Sequence, residues 1–323
     1  MEKVKCELCP TECVLGDYEV GGCRVRINRG GTLYSLVYGK PCSVHVDPIE
    51  KKPFFHFLPS TKAFSIATAG CTLGCTFCQK WEISQASPEK VDHMDLSPED
   101  IVRSALASGS TSVTFTYTEP TVFYEYMYDT AVVAHNAGLR TNMHSCGYIN
   151  ERPLRELLKH LDAADIDLKA FTEDFYGRIC GGRLKPVLDS IVTIRQEGIW
   201  LELTNLVIPT LNDDLGKVRE MCKWIIANAG EHTPIHFSRF FPHYKLKNLP
   251  PTPVQTMADV YKTARDAGLK YVYLGNLRSQ AENTYCHNCG ALLIRREGYH
   301  VPENNLKDGH CPVCGVAIPG VWA

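Results

Sequence analysis

The sequence predicts an α/β fold, a partial (β/α)6-type TIM-like barrel with a small Cys-rich N-terminal lobe and a zinc-ribbon-like C-terminal tail. Short β-rich runs alternate with helical patterns between residues 62 and 274, which is typical of a parallel sheet with right-handed crossovers. Both ends of the chain lack this alternation. The chain has 15 cysteines, most of them clustered, and two of the clusters lie in these end segments.

Seven strands are predicted from short apolar, β-branched runs at residues 63–69, 112–117, 140–144, 164–168, 200–208, 234–240 and 271–274. Six helices are predicted between them, at residues 98–108, 122–137, 154–161, 184–197, 215–229 and 253–267. Gly138, Gly198 and Gly268 follow three of these helices, where a left-handed C-cap is favoured. Seven strands and six helices fit an incomplete barrel better than a small flavodoxin-like sheet.

Three segments are therefore expected along the chain. Residues 1–30 form a Cys-rich metal lobe, residues 31–279 a linker and the partial barrel, and residues 280–323 a short metal-binding tail. The linker is expected to be irregular over residues 47–56 because Pro48 and Pro53 interrupt it.

Composition excludes several classes of protein. The formal net charge of −2 provides no global basic field for nucleic acid or an acidic membrane. No apolar run approaches the roughly 20 residues that span a bilayer, and the first residues do not resemble a signal peptide. The chain is thus expected to be cytoplasmic, to bind neither nucleic acid nor a membrane, and to keep its thiols reduced for metal binding.

Three cysteines with the spacing C-x3-C-x2-C, namely Cys71, Cys75 and Cys78, directly follow the first predicted barrel strand. Cysteine thiolates are the usual ligands of iron–sulfur clusters. Since no fourth Cys or His lies close by in the sequence, one iron of a [4Fe–4S] cluster would remain open. The alternative is a structural zinc site, but zinc prefers four closed ligands.

This triad, with the aromatic Phe77 before its last cysteine, resembles the radical S-adenosylmethionine (SAM) superfamily. The resemblance implies that SAM chelates the open iron through its amine and carboxylate. It also implies that an electron from the cluster cleaves the sulfonium, giving methionine and a 5′-deoxyadenosyl radical that abstracts hydrogen. The catalytic residues are then the triad itself, with the cofactor carrying the hard chemistry.

Further SAM contacts follow from the same resemblance. Thr116, Tyr117, Thr118 and Glu119 follow the second strand and are similar to the family's Gly-Gly-Glu motif, with Glu119 retaining the carboxylate that accepts from the SAM ammonium. The alternative for Glu119 is an exposed loop glutamate.

Asp167 and Lys169 resemble the Asp-Leu-Lys stretch of pyruvate formate-lyase activating enzymes, and the alternative is a salt bridge at the barrel rim. Ser145 lies in a His-Ser-Cys-Gly stretch where that family has Asp-Thr-Asn-Gly. Asn205 and His236, on the fifth and sixth strands, are expected to line the adenosine or substrate pocket, although a lone strand histidine is more often packed in the core.

Segments at residues 47–53, 116–120, 208–213, 236–240 and 272–276 are together similar to the AmmeMemoRadiSam-system radical SAM proteins, relatives of the pyruvate formate-lyase activases. The resemblance implies a protein or small-molecule substrate and a reductant such as flavodoxin or ferredoxin. The same resemblance implies that a Memo-family protein is a candidate partner.

Two further cysteine sets flank the barrel. In the tail, Cys286, Cys289, Cys311 and Cys314 form two C-x2-C pairs that predict a closed tetrahedral zinc site, with rubredoxin-like iron or a second cluster as alternatives. In the head, less regularly spaced thiols predict structural zinc or a second cluster, the alternative being a cysteine cluster without metal: Cys6, Cys9, Cys13 and Cys23.

Two functions from different classes remain at this point. The first is a radical SAM enzyme that acts on a protein, like a glycyl-radical activase, or on a small molecule. The second is a non-catalytic scaffold or interaction protein in which all three cysteine sets hold structural zinc.

Overall fold

The N-terminal lobe consists of two short hairpins in the computed structural model, which describes residues 3–323. The strands are β1 (Val4–Lys5), β2 (Val14–Leu15), β3 (Arg26–Arg29) and β4 (Thr32–Ser35). Gly30 and Gly31 join β3 to β4 with positive φ angles of 58° and 84°, which suit a two-residue hairpin turn. The predicted lobe boundary at residue 30 therefore falls inside a hairpin, and residues 1–2 of that lobe lie outside the described range.

An eight-stranded sheet forms the centre of the protein. Its strands are β5 (Ser43–Pro48), β6 (Lys62–Ala67), β7 (Ser112–Phe115), β8 (Arg140–Ser145), β9 (Ala163–Asp167), β10 (Trp200–Val207), β11 (Ile235–Arg239) and β12 (Val272–Gly275). They lie side by side in chain order. The seven strands from β6 to β12 are all parallel, and β5 pairs with β6 antiparallel. The α/β class and the incomplete barrel are confirmed, because β5 and β12 are the two ends of the sheet.

One helix of eight or more residues lies in each of the six crossovers. All the α-helices in chain order are α1 (Trp81–Ser84), α2 (Pro98–Ala107), α3 (Tyr124–Asn136), α4 (Glu151–Leu158), α5 (Glu173–Phe175), α6 (Leu184–Gln196), α7 (Leu215–Asn228) and α8 (Val254–Ala267). Helix α4 begins at Glu151, three residues before the predicted start at residue 154, and therefore includes Pro153. Proline is tolerated in the first turn, where its missing N–H is not needed.

The linker contributes a full strand, mostly before the stretch that was expected to be irregular, residues 47–56. Strand β5 pairs with β6 over the whole of its length, from Ser43 opposite Ala67 to Pro48 opposite Lys62. Pro48 is its last residue, at the edge of the sheet, where a missing N–H costs no ladder hydrogen bond. The two prolines therefore mark the end of a strand and the turn after it.

The tail forms an antiparallel sheet of β13 (Thr284–Tyr285), β14 (Leu292–Glu297) and β15 (His300–Asn304). It packs against the amino-terminal end of the barrel, where Phe55, Tyr271 and Tyr273 share an apolar cluster with Leu293 and Ile294. This leaves the carboxyl ends of the strands free at the opposite end of the barrel, which is where barrel enzymes place their chemistry.

Candidate active site at the carboxyl ends of the strands

A cavity of about 280 Å³ opens at the carboxyl end of the sheet. The loops after β6, β7, β8 and β9 converge on it, and β10 to β12 contribute at one side. The chemically functional side chains that line it are Cys71, Cys75, Cys78, Tyr117, Glu119, His144, Cys146, Asp167 and Lys169. The structure thus brings together most of the predicted SAM-site residues.

The triad loop is fixed by backbone hydrogen bonds to a neighbouring turn. The amide of Gly74 donates to the carbonyl of Cys180 at 2.8 Å, and the amide of Thr76 donates to that of Ile179 at 2.9 Å. This turn is a short π-helix, Tyr176–Cys180, in the crossover after β9. The loop that carries the three thiols is therefore held in one conformation by residues distant in the sequence.

The three thiols are arranged differently from ligands of a single ion. Zinc holds thiolates at ~2.3 Å, which places their sulfurs ~3.8 Å apart. Among the described residues, the groups whose ligand atoms all lie within 4.8 Å of one another are the tail cysteines and His144 with Asp165 and Asp167. The triad is not one of these compact groups. Three thiols on one loop beside an open cavity are a donor set that fits a [4Fe–4S] cluster with one open iron.

Burial keeps these thiols protonated when no metal is bound. It raises the pKa of Cys71 well above the usual value, and a hydrogen bond with Cys180 followed by burial does the same for Cys75. Cys78 lies 3.2 Å from the Ser84 hydroxyl. A bound metal deprotonates such thiols outright, so loading of the site releases protons.

Cys146 is a fourth thiol in this cavity, although it belongs to none of the three cysteine sets of the sequence. It is buried, and its Sγ lies 3.6 Å from the Thr72 hydroxyl in the triad loop. Its position at the end of a strand was the available signal, because carboxyl ends of neighbouring parallel strands meet at one edge.

Glu119 is a buried group and not the exposed loop residue that was the alternative. Its Oε1 accepts hydrogen bonds from the Thr121 amide and hydroxyl and from the Ser145 hydroxyl. Its Oε2 accepts one from the Cys146 amide at 2.8 Å. The carboxylate is thus rigidly oriented, and Oε2 retains a lone pair for a further donor in the cavity.

Asp167 and Lys169 form an ion pair at the cavity wall, with 2.8 Å between Oδ2 and Nζ. Burial alone would raise the pKa of Asp167, but Lys169 and His144 hold it below its usual range. Burial would likewise lower the pKa of Lys169, and Asp167 raises it well above normal. Both groups are therefore charged, and Lys169 Nζ also lies 5.9 Å from the centre of the Phe77 ring.

His144 lies between two carboxylates. Its Nδ1 is 3.0 Å from Asp165 and its Nε2 is 3.4 Å from Asp167. Burial would lower the pKa of this imidazole, but Asp167 and Asp165 raise it to about 10. His144 is therefore an imidazolium that supplies a second positive charge beside Lys169. The predicted site did not include this residue.

Tyr117 connects the cavity to the linker strand. It adopts a left-handed backbone conformation, φ 65°, which is uncommon for a non-glycine residue. Its hydroxyl donates to Asp47, and the Lys52 ammonium lies 3.9 Å above its ring. Burial lowers the pKa of Lys52 to about 8 despite the ion pair with Asp47. A tyrosine thus takes the backbone conformation that glycine would adopt more easily.

The remaining predicted contacts divide into two groups. Phe77 and Thr118 line the cavity, and Thr118 donates its hydroxyl to the Thr68 carbonyl. Thr116 and Ser145 are buried behind the cavity wall. The Ser145 hydroxyl donates a hydrogen bond to Glu119, and the Thr116 amide donates one to the Ile66 carbonyl of β6.

Asn205 and His236 do not reach this cavity, contrary to the prediction. Asn205 points toward α7, and its Nδ2 donates to the Leu168 carbonyl at 2.7 Å. His236 is near the amino end of β11, and its Nε2 lies 2.7 Å from the buried carboxylate of Glu202. Successive side chains of a strand point to opposite faces, and the Asn205 side chain lies on the outer face of β10. The His236 side chain lies at the amino-terminal end of the barrel, which the tail covers.

The tail cysteines form a compact tetrad at the far end of the molecule. Cys286 and Cys314 have sulfurs 3.6 Å apart, and Cys289 and Cys311 have sulfurs 3.7 Å apart. These distances match a tetrahedral single-ion site. The four-cysteine group confirms a zinc-ribbon-like tail.

The N-terminal cysteines Cys6, Cys9, Cys13 and Cys23 line a separate cavity of about 270 Å³. Cys71 of the triad lines this cavity as well as the first one. The two predicted cysteine sites are therefore neighbours in space, although nearly 50 residues separate Cys23 from Cys71.

Comparison with known proteins gives a consistent result. The family model of the Radical SAM superfamily matches residues 65–224. The chain is 44% identical to uncharacterized protein MJ0808 of Methanocaldococcus jannaschii over 319 residues, 98% of this chain and 95% of that protein. It is 24% identical to the pyruvate formate-lyase-activating enzyme of Clostridium pasteurianum over 163 residues, 48% of this chain and 66% of that enzyme.

Among solved structures, Streptococcus suis SuiB bound to S-adenosylmethionine has a similar fold. The TM-score is 0.53 at 12% identity, and the similarity covers 74% of this chain and 56% of SuiB. A search of the helices in residues 3–323 finds none with the length and apolar character needed to cross a membrane.

Proposed function

The chain belongs to the radical SAM superfamily, and from this premise we propose that Cys71, Cys75 and Cys78 bind a [4Fe–4S] cluster with which the protein reductively cleaves S-adenosylmethionine. The observation that carries the proposal is the arrangement of the triad. Three thiols of one rigid loop face a cavity that also holds a buried carboxylate, Glu119, and the ion pair of Asp167 and Lys169.

When bound, the cluster and SAM supply one-electron cleavage of the sulfonium to methionine and a 5′-deoxyadenosyl radical, which abstracts a hydrogen atom. The role of the protein itself is to orient SAM and to exclude water from the site. The hydrogen bonds from Thr121, Ser145 and Cys146 fix the Glu119 carboxylate, so that its remaining lone pair would accept from the ammonium of bound SAM. Lys169 would provide the positive charge that pairs with the SAM carboxylate.

The substrate is proposed at the level of its class. Similarity to an activating enzyme over about half of the chain supports a protein substrate that loses hydrogen from a glycine. The other version is a small molecule modified by hydrogen abstraction. A low-potential one-electron donor such as flavodoxin or ferredoxin would supply the electron, and a Memo-family protein is a candidate partner to test first.

The test is anaerobic reconstitution with iron and sulfide, followed by chemical reduction in the presence of SAM. We expect methionine and 5′-deoxyadenosine from the wild type and none from Cys75→Ala. Cys42→Ala is the matched control, because Cys42 lies outside the cavity, and it should retain full cleavage. A wild-type protein with a reducible cluster that leaves SAM intact would refute the proposal.

The class of substrate is then identified from the transfer of deuterium from a labelled substrate to 5′-deoxyadenosine. Candidate partners carrying deuterated glycine are incubated with SAM and the reduced enzyme, and 5′-deoxyadenosine is examined by mass spectrometry. Deuterium in this product together with a glycyl radical signal identifies the activase version. Deuterium transfer from a deuterated small molecule identifies the other version.

The rival function is a non-catalytic scaffold that holds three structural zinc ions. The tail tetrad supports zinc at one of the three sites, because its sulfurs are 3.6 and 3.7 Å apart. The triad is not among the compact groups, which argues against a single ion there. Three zinc ions and no iron after anaerobic purification would establish the scaffold.

A further inference from the structure

The N-terminal lobe encloses a cysteine site that the proposed reaction does not use. Cys6, Cys9, Cys13 and Cys23 face one cavity of about 270 Å³. The lobe is too small to fold around an apolar core of its own, and its two hairpins have two and four residues in each strand. A bound metal group is the usual source of stability for so small a unit.

The spacing of these four thiols differs from that of the tail tetrad. In the tail, the sulfurs of Cys286 and Cys314 are 3.6 Å apart and those of Cys289 and Cys311 are 3.7 Å apart, close to the sulfur–sulfur distance in a tetrahedral zinc site. In the described part of the chain, the N-terminal thiols are not among the groups whose ligand atoms all lie within 4.8 Å of one another. The four thiols line one cavity of about 270 Å³ and do not form a compact tetrad, and this arrangement favours a polynuclear group over a single ion.

The protein also presents donors and positive charge toward these sulfurs. The backbone amides of Val25 and Arg26 lie close to the Cys23 thiol, and that of Thr11 lies close to the Cys9 thiol. Arg26 is 7% exposed, lines the cavity and has an Nε without a hydrogen-bond partner. The two terminal nitrogens of this guanidinium pair with Glu125, but its buried Nε–H still lacks an acceptor, and an iron–sulfur cluster with four thiolate ligands is one.

The lobe and the triad loop are in direct contact. Gly70, which precedes Cys71, has a φ of 99°, and a Cβ there would lie 2.6 Å from Val25 Cγ1 and 2.7 Å from the Cys23 carbonyl oxygen. Only glycine therefore permits this close approach of the two segments. Because Cys71 itself lines both cavities, a group held by the lobe would lie immediately beside the triad site.

We propose that Cys6, Cys9, Cys13 and Cys23 bind a second iron–sulfur cluster, fully ligated by cysteine, beside the SAM-binding cluster. With four protein ligands it has no open iron and does not bind SAM. This inference goes beyond the proposed function and stands independently of it, since it concerns different cysteines and a different readout.

The test uses the full chain with the triad removed, Cys71→Ala/Cys75→Ala/Cys78→Ala, purified and reconstituted without oxygen. We expect this variant to retain iron with acid-labile sulfide and to give an EPR signal on reduction that SAM does not change. Adding Cys9→Ser and Cys13→Ser should abolish both, whereas adding Cys42→Ser should leave both intact. The sulfide measurement separates a cluster from rubredoxin-like iron in the tail, which holds none.

Iron without sulfide, or zinc in the triad-free variant in place of a cluster, would overturn the proposal. A second measurement covers the event that the multiple variant does not fold. In the wild type, Mössbauer spectra should show two clusters, of which SAM perturbs only one. Iron and sulfide in the amount of one cluster per chain, all of it perturbed by SAM, would refute the second site while leaving the proposed reaction intact.

Discussion

Arg26 of the N-terminal lobe and Glu125 of α3 form a two-pronged ion pair across 99 residues of sequence, with N–O distances of 2.7 and 2.5 Å. The arginine side chain is 9% exposed and the glutamate side chain 45% exposed. This pair fastens the lobe to the barrel beside the triad loop. It also fixes the guanidinium that lines the cavity of the N-terminal cysteines.

Breaking this pair should loosen the lobe. We expect Glu125→Gln to lower the free energy of unfolding by about 1–2 kcal/mol, because it removes a charge-assisted bidentate contact with a buried arginine. Urea unfolding of the anaerobic protein measures the loss. The control is Glu156→Gln, which removes an exposed pair with Lys159 and should have a much smaller effect because solvent screens it. Equal effects of the two variants would contradict a special role for Arg26 and Glu125.

Lys169→Met should weaken SAM binding. Loss of one charge-assisted contact to the SAM carboxylate corresponds to roughly 10–100-fold in Kd. Equilibrium dialysis with the reconstituted protein measures the affinity, and the cluster absorbance confirms that the site is loaded. Lys185→Met is the matched control, since Lys185 forms an exposed pair with Asp189 away from the cavity. An unchanged affinity in Lys169→Met would remove Lys169 from the SAM site.

Cys146→Ala should leave the triad cluster intact. Cys146 faces the same cavity, but an open iron requires that it is not a fourth ligand. We expect Cys146→Ala to have the iron content of the wild type and to show the same SAM-dependent changes in its EPR signal. Cys75→Ala should lose both. If Cys146→Ala lost iron or gained SAM affinity, the cluster would be closed by four cysteines in the resting protein.

His144 gives the fold a pH dependence of definite sign. Its pKa in the folded protein is raised from 6.5 to about 10, so its contribution to stability is fully present below pH 6.5 and is lost as the pH rises toward 10. The wild type should therefore lose more unfolding free energy between pH 6.5 and 10 than His144→Gln does. Urea unfolding at several pH values measures this. Parallel curves for the two proteins would show that His144 is not held as a cation.

Removal of the tail metal should lower thermal stability without affecting the cluster. Cys289→Ser/Cys314→Ser opens the tetrad, and we expect the unfolding midpoint to fall by roughly 5–10 °C. Iron bound at the triad and SAM cleavage per folded molecule should not change, because the tail lies at the opposite end of the barrel. Loss of SAM cleavage at low temperature would show that the two ends are coupled.

The fold could largely be predicted because its elements follow simple periodicities. All seven parallel strands and the six crossover helices were placed to within a few residues, and helix ends at Gly138, Gly198 and Gly268 follow from the left-handed conformation. Strand β5 was missed because its alternation, Val44 and Val46 between polar residues, is short, and because it is stabilised by pairing with β6.

The site was predictable where the sequence spacing carries the chemistry, as it does for the triad and the tail tetrad. It was not predictable where the chemistry arises from contacts between distant segments. His144 is a cation because Asp165 and Asp167 lie on the next strand, and Tyr117 is held by Asp47 of a strand that was not foreseen. Asn205 shows the reverse error, because its side chain lies on the outer face of a correctly predicted strand.

The tail tetrad closes the barrel at the end remote from the triad, where it packs on Phe55, Tyr271 and Tyr273. A closed thiolate–zinc site in the tail would hold a metal that does not change oxidation state, whereas the proposed iron–sulfur chemistry at the triad is redox-active. We therefore expect exposure to oxygen to inactivate the triad end of the molecule while the tail keeps its metal and its fold.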